Sequence, residues 1–488
     1  MRFRWTKQIL AMLAIFSSIG STAQLTWRRA HGGFGSDVGY SVRHTLDGGY
    51  IICGATGSFG QGGGDVYLLK LDSDGHREWS KTFGGSGVEQ ASSVRQLPDG
   101  GFLVIGATNS FGAGGYDGYA VRTTYLGDLV WEEAGGSGDW DLLYSVEIDP
   151  DGEFIAVGET YSTSSGEPDG WLIRIGELGN AMWQMTYGGD ALDYFRAVHP
   201  ITGGGYVMAG GTQELGTMDA WVVEVDALGV VNWSAIDGGD SLDHAEDIVP
   251  TLDGGYSVLG TTESYSEWTE MYHYKLDASG AFLWYKHWGQ TGNQEGYEHL
   301  ELIDGRLVSI GYNAAVGAGG KDFYILISDQ MGEFIQGTSY GGSEDEVGYS
   351  LDRTTDGGYV LAGLTESWGY GVQDIWVVKV DSALQPPFQT VEEWLDPLTI
   401  HDPASQIDVS IWPSPVAAGG TLYIRCANLL TEVRLCDITG RELLTKEVGN
   451  AYEVAMDLRT ADLATGTYML LLGGADWRST ARVLVVDP

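Results

Sequence analysis

Fourteen carboxylates recur at two fixed places in a long repeat. Asp37, Glu89, Asp141, Asp193, Asp243, Glu295 and Glu346 each stand five residues before an apolar anchor. Asp65, Asp117, Asp169, Asp219, Glu270, Asp322 and Asp374 each open an apolar run. Two such sets on one face would supply the oxygen ligands that Ca²⁺ prefers, so calcium is the cofactor these residue types point to. The same acids can instead accept backbone N–H groups in their own loops, as Asx turns do. Recurrence in every copy favours turn chemistry, because a unique site does not need seven copies.

A second set of candidates lies in the most variable loops, GSFGQGGG, NSFGAGGY, YSTSSGEP, QELGTM, ESYSEWTEM, NAAVGAGGK and ESWGYGVQ. Phe59, Phe111, Tyr116, Tyr265, Trp268, Trp368 and Tyr370 sit there beside carboxylates and amides, a combination suited to sugar stacking or protein contact. The competing reading is packing against neighbouring loops. No constellation for catalysis is visible. The nine histidines occupy unrelated repeat positions, and neither HExxH nor GxSxG occurs. GGDSLDHAED (238–247) has the look of a nucleophile motif around Ser241, but its register matches GGDALDYFRA one repeat earlier. Asp72-Ser73-Asp74-Gly75 lacks the downstream bidentate Glu of a calcium loop and reads as a hairpin turn.

The elements that must position these residues follow from the repeat itself. TLDGGYIICGAT (45–56) returns six times, with its first turn glycine at Gly48, Gly100, Gly152, Gly204, Gly254, Gly305 and Gly357. A fixed period of this size marks a repeat architecture. Asp-Gly between alternating apolar runs predicts a hairpin with a type I′ turn. A glycine inside the following strand (Gly54, Gly106 and onward to Gly363) marks close backbone approach, expected from a neighbouring sheet. Each copy adds a third strand such as DVYLLKLDSDG and a fourth carrying Trp27, Trp79, Trp131, Trp183, Trp233, Trp284 or Phe334, read as core. Four-stranded units repeated radially are propeller blades. The expected fold is all-β: a seven-bladed β-propeller over 24–384, closed by the N-terminal strand at 25–33, followed by a small C-terminal β-sandwich. Closure of that kind removes two sheet edges.

Residues 1–23 read as a signal peptide, with Arg2, Arg4 and Lys7, an apolar Ile9–Ile19 and a Ser21-Thr22-Ala23 cleavage site. No later run reaches the ~18 apolar residues of a membrane helix. The net charge of −41 disfavours nucleic acid and acidic polymers and fits basic partners or divalent cations. Cys53 reads as a buried small hydrophobe. Strand parity places Cys426 and Cys436 on opposite faces, against a disulfide. Residues 385–406 carry four prolines without the repeat pattern and read as a linker to a compact β module at 407–488.

That module carries IDVSIWPSPVAAGGTLYI, VRLCDITGRELL, LATGTYMLLL and ARVLVV. It resembles the C-terminal sorting domain of the type IX secretion system: Pro413 and Pro415, then Gly440 and Arg441, then Gly466 and Tyr468, then a terminus from Arg482 to Val486. Ser414 stands where that family has Asn, and Arg482 where it has lysine. The resemblance implies export across the outer membrane of a Bacteroidetes-like bacterium, the secretion machinery as partner of 407–488, and removal of the domain with release or attachment to the surface. The propeller repeat is similar to repeats common in such exported proteins, without a known activity. Two functions stand. One is a secreted or cell-surface scaffold for binding or adhesion, its partner a glycan or surface protein. The other is an extracellular hydrolase or lyase acting on polysaccharide with carboxylates at the channel mouth. An unrepeated acid pair with His or Arg in the channel would favour the enzyme.

Overall fold

The computed structural model describes residues 26–161, 167–289, 291–369, 371–385, 392–395, 409–412, 416–417, 420–436, 442–460, 463, 466–473 and 478–486. Residues 1–23, Tyr370 and the segment Pro413 to Pro415, together with Gly440 and Arg441, lie outside them. Among the described residues the chain is nearly all β, and no helix is long and apolar enough to cross a membrane.

Each repeat forms one antiparallel unit whose four strands pair in chain order. Unit 1 is Asp37–His44, Tyr50–Thr56, Asp65–Leu71 and Arg77–Phe83. The first strands of units 2 to 7 are Glu89–Gln96, Asp141–Ile148, Asp193–Pro200, Asp243–Pro250, Gln294–Glu301 and Glu346–Arg353. Units 1 to 6 are four-stranded sheets of this order. In unit 7 the strand after Asp374–Val380 is Trp27–Gly32 from the other end of the chain, paired antiparallel with Trp27 opposite Lys379. The first strands contact one another in cyclic order, that of unit 1 touching those of units 2 and 7.

Local chemistry explains the hairpins, with one correction. Between the first two strands, Gly48 N–H donates to Thr45 O at 2.9 Å, and Gly48 has φ 87° while Leu46 and Asp47 stay out of the left-handed region. This is a three-residue loop with one left-handed glycine, not a type I′ turn. A cation on the third strand holds the turn aspartate: Lys70 to Asp47 at 3.0 Å, Arg122 to Asp99 at 2.8 Å, Lys379 to Asp356 at 3.0 Å. Unit 4 has no turn aspartate, and Glu224 stands at the basic position.

The strand-interior glycine has a different cause from the expected one. Every first strand carries a bulge, between Gly39 and Ser41 in unit 1. There the Val38 carbonyl comes so near that a Cβ on Gly54 would lie 1.8 Å from it. The close neighbour is the unit's own first strand, not the next sheet.

The Trp strand is the outer one. Trp27 is buried, but Trp79, Trp131, Trp183, Trp233 and Trp284 are half-buried and Phe334 is exposed. They cover seams rather than fill a core. The tryptophan rings lie against the glycine of the turn between the third and fourth strands of the next unit, Trp27 on Gly75 and Trp79 on Gly127, and Trp131 Nε1–H donates to Glu177 O at 2.9 Å.

Within the stretch read as linker, Glu392–Leu395 pairs in parallel with Trp27–Gly32, supplying partners to an otherwise open edge. The C-terminal module is one hydrogen-bonded sheet rather than two separate ones. Its 16-residue strands Thr421–Cys436 and Glu442–Asp457 shift register between Arg425 and Leu430, so both halves share a core of Leu422, Ile424, Val433, Leu435, Leu470 and Leu472. Cys53 and Cys426 are buried thiols; the side chain of Cys436 lies outside the described residues. Gly466 opens the strand Gly466–Gly473, Tyr468 joins the core and Arg482 pairs with Met469.

Candidate functional site: the loop face and the central channel

The first acid set lies where each first strand begins and closes the Gly-Gly link that precedes it. Asp37 Oδ2 accepts Gly33 N–H at 2.8 Å and the Ser58 hydroxyl at 2.6 Å, and Oδ1 accepts Thr56 Oγ1–H. Glu89, Asp141, Asp193, Asp243 and Glu346 receive the equivalent link N–H at 2.8, 2.5, 3.0, 2.7 and 2.6 Å.

Unit 6 departs from this, and Glu295 is a correction. The residue opposite the second-strand end there is Gln294, paired with Asn313 as Asp37 is with Thr56. Gln294 Nε2 donates to Gly292 O at 2.7 Å and lies 3.5 Å from Asn313 Oδ1. Glu295 points to the other face, where Tyr297 and Tyr312 hydroxyls donate to it at 2.6 and 2.7 Å. An amide pair thus fills the acid–threonine place.

The second set opens the third strands: Asp65, Asp117, Asp169, Asp219, Glu270, Asp322 and Asp374. It meets the first set across unit boundaries. A Cβ on Gly84 would lie 2.3 Å from Glu89 Oε2 and 2.7 Å from Asp65 Oδ1, and Gly136, Gly188 and Gly341 separate equivalent pairs. Burial and then Glu89 push Asp65 up to about 7. The carboxylates fall in twos, and among the described residues no group of three or more His, Cys, Asp or Glu is placed to hold a metal ion.

The loop aromatics lie above the same face and stack on their own third strands. Phe59 stacks on Tyr67 (5.5 Å), Phe111 on Tyr119 (6.0 Å) and Trp368 on Trp376 (4.8 Å), with Arg28 over Trp368. Tyr265 stacks on His287 at 4.9 Å, and Tyr116 meets Trp140 edge-on. Trp268 is exposed.

A cavity of about 550 Å³ runs between the first strands of all the units, within the range of small-ligand sites. Its wall was missed in the sequence. The bulge breaks the period of two, so the fourth and seventh residues of each first strand both reach the cavity. The fourth are Tyr40, Ser92, Tyr144, Arg196, Glu246, Tyr297 and Tyr349; the seventh are Arg43, Arg95, Glu147, His199, Val249, Leu300 and Asp352. Aligning the copies by turn glycine would have set these residues in two columns.

Two channel arginines are locked. Arg43 donates to Glu298 at 2.6 Å, and Arg95 to Glu147 at 2.6 Å. Against burial, which favours the neutral acid, Arg95 and His199 hold Glu147 down at about 2. Arg196 differs. Its guanidinium lies over the rings of Tyr144 (4.1 Å) and Tyr194 (5.0 Å), and the Glu246 carboxylate stands off at 3.8 Å.

The seam of units 5 and 6 breaks the repeat most deeply. Asp247 accepts His299 Nδ1–H at 2.8 Å, the His299 and His273 rings meet edge-on at 4.9 Å, and His273 Nε2 bonds the Ser257 hydroxyl at 2.5 Å. Elsewhere the His299 position holds Val42, Val94, Val146, Val198, Ile248 or Leu351. The His273 position holds Leu68, Ala120, Leu172, Val222, Ile325 or Val377, and that of Ser257 is likewise apolar. Both imidazoles are buried, which drives the His273 pKa well down. Asp247 and His299 also line the channel.

Residues 410–486 match the family described as "Secretion system C-terminal sorting domain". Such a domain marks proteins exported across the outer membrane to the cell surface or extracellular space, and implies interaction with the secretion machinery. No curated protein matches the chain by sequence. Solved structures similar to it include PorZ, a surface component of the type IX secretion system of Porphyromonas gingivalis, at 13% identity and TM-score 0.42 over 93% of this chain and 60% of that one. The chain thus spans less than two thirds of PorZ. The Neurospora crassa Pan2 WD40 domain is 12% identical with TM-score 0.44, over 73% of this chain and 92% of that one. Puromycin hydrolase is 16% identical with TM-score 0.49, over 80% and 59%.

Proposed function

We propose that residues 24–384 form a seven-bladed β-propeller closed by the N-terminal strand, presented by an exported chain as a binding scaffold whose ligand enters the central channel. Residues 1–23 serve as the signal peptide and 385–406 as the connection to the sorting module. One observation carries the reading: the first strands of all the units line one cavity of about 550 Å³, and its wall bears charged groups that differ from unit to unit, Arg43, Glu147, Arg196, Glu246 and Asp352 among them.

A second reading, hydrolysis or elimination on a polysaccharide, draws on the unrepeated acids Glu246 and Asp247 beside Arg196 and His299. Binding is favoured over it on chemical grounds. Glycoside hydrolysis needs one carboxyl protonated near neutral pH, whereas Arg196 and His244 hold Glu246 down against burial and His299 does the same for Asp247.

The test is binding of the labelled mature chain to an array of bacterial surface glycans, beside its Ser92→Trp variant. Four units already place tyrosine at this position, so an indole there fills the channel without disturbing the frame. Loss of binding in the variant is expected. Undiminished binding, or loss of it in Phe111→Ala instead, would move the site to the loop face. Release of reducing ends or unsaturated sugars from a bound glycan would establish the second reading.

A further inference from the structure

We propose that Arg196 anchors the carboxylate of a small hydroxylated ligand, a sugar acid, inside the channel; the inference rests on the channel being the binding site. Three arginines face this cavity, and their engagement separates them. Arg43 donates to Val42 O and Glu298 at 2.6 Å each, and to Ser350 at 3.1 Å. Arg95 donates to Val94 O at 2.9 Å and to Glu147 at 2.6 Å. Both forks are occupied. The Arg196 side chain has a hydrogen bond with Tyr194, but its Nε is buried with no hydrogen-bond partner, and its carboxylate neighbour is beyond hydrogen-bond distance at 3.8 Å.

Moreover, Glu246 is engaged elsewhere, since His244 Nε2 lies 3.2 Å from its other oxygen. A buried guanidinium donor left open is costly, and a planar fork held between two tyrosine rings is pre-organised for a carboxylate, which it meets with two parallel N–H bonds. Cation–π contact with Tyr144 and Tyr194 fixes its plane before any ligand arrives.

The rest of the wall sets the ligand's other groups. Tyr40, Tyr297 and Tyr349 pack together, Tyr40 with Tyr349 at 5.2 Å and Tyr297 with Tyr349 at 5.0 Å, giving an aromatic wall for a sugar ring. Glu298 and Asp352 add acceptors for hydroxyl groups. With these acids in the same cavity a second negative charge on the ligand would be repelled, so a monocarboxylate fits and a polyanion does not.

The experiment is thermal-shift and calorimetric titration of the full mature chain with D-glucuronate, D-glucose and an oligosaccharide ending in D-glucuronate. The expected result is saturable binding of glucuronate about tenfold or more tighter than glucose. Arg196→Gln should bring the two together, and Arg196→Lys should lie between, because lysine keeps the charge but not the fork. Binding of the oligosaccharide alone would assign the same chemistry to a glycan end rather than a free sugar. Equal binding of glucose and glucuronate, both abolished by Ser92→Trp, would overturn the carboxylate assignment while leaving the channel as the site. An unchanged preference in Arg196→Gln, or no binding of either acidic sugar, would overturn the proposal as well.

Discussion

The loop face and the central channel are built from the same strands, yet they obey opposite rules. On the loop face a residue type is set by its place in the repeat: an acid closes each Gly-Gly link, and where one unit lacks the acid an amide pair fills the place. In the channel the place in the repeat predicts less, since one column is Tyr in four units but Ser, Arg or Glu in the other three, and the other runs from Arg and Asp to Val and Leu. In six of the seven units the first-set carboxylate accepts the link N–H, whereas the channel's charges differ from unit to unit. The seam of units 5 and 6 sharpens the contrast, because there the unrepeated polarity penetrates the core.

The largest test of the frame is Gly158→Ala. A Cβ there would lie 1.7 Å from Leu142 O, a backbone atom that cannot swing aside. The bulge of the first strand would have to be rebuilt, so a destabilisation of more than ~4 kcal/mol is expected, in the range reserved for gross misfits. Loss of the folding transition, or recovery in inclusion bodies, is the expected readout. A melting temperature within a few degrees of the parent would show that the frame tolerates change and that its repetition carries no structural meaning.

A smaller effect of opposite sign is expected at the seam. Replacing Asp247, Ser257, His273 and His299 by Ser, Val, Leu and Val gives it the residue types of the other units and leaves no buried carboxylate without its imidazole. Removing buried polar groups as a set, with apolar side chains of similar size, is often neutral or stabilising by about 1–4 kcal/mol. The quadruple variant is expected to melt higher and to lose or alter its channel ligand, since Asp247 and His299 line the cavity. A lower melting temperature would make the seam part of the frame, and the comparison would lose its clearest case.

Most of the architecture could be read directly. The turn glycines gave the strand boundaries, and the order of links gave the outer place of the tryptophans. Two of the errors share one cause. Acids were counted back from an apolar anchor, and in unit 6 that anchor position holds His299, so Leu300 was taken instead and Glu295 chosen over Gln294. The bulge hid the channel in the same way, because a residue inserted into one strand shifts every later side chain to the other face. Reading the tryptophans as core holds for Trp27, while Trp79 and its other sisters only pack against the core from outside, because the outer strand has no sheet beyond it and an indole there covers a seam, half in water. The stacking partners of the loop aromatics, such as Tyr67 under Phe59 and Trp376 under Trp368, are three-dimensional neighbours that spacing alone does not reveal.

The finest distinction is in how the two regions answer to pH. Asp65 on the loop face is raised to about 7 by burial and Glu89. The folded form therefore binds its proton more tightly than the unfolded chain, so this group's contribution to stability grows as pH falls from about 7 towards the ordinary aspartate value and is lost on going back up. Glu147 in the channel is held at about 2 by Arg95 and His199 in spite of burial. Its contribution is complete above the ordinary glutamate value and disappears as pH falls through about 2. A melting curve would mix these with the imidazole of His273, which is buried neutral and costs stability as pH drops below the ordinary histidine value. Carboxyl ¹³C shifts separate them. The Asp65 carboxyl should titrate near neutrality and that of Glu147 only in strong acid, with Glu147→Gln leaving the Asp65 curve in place. If the two titrated together at ordinary values, the acid pairs of the loop face would be solvated surface charges and the channel's ion pairs too loose to order its wall, and the physical basis for treating the two regions differently would be gone.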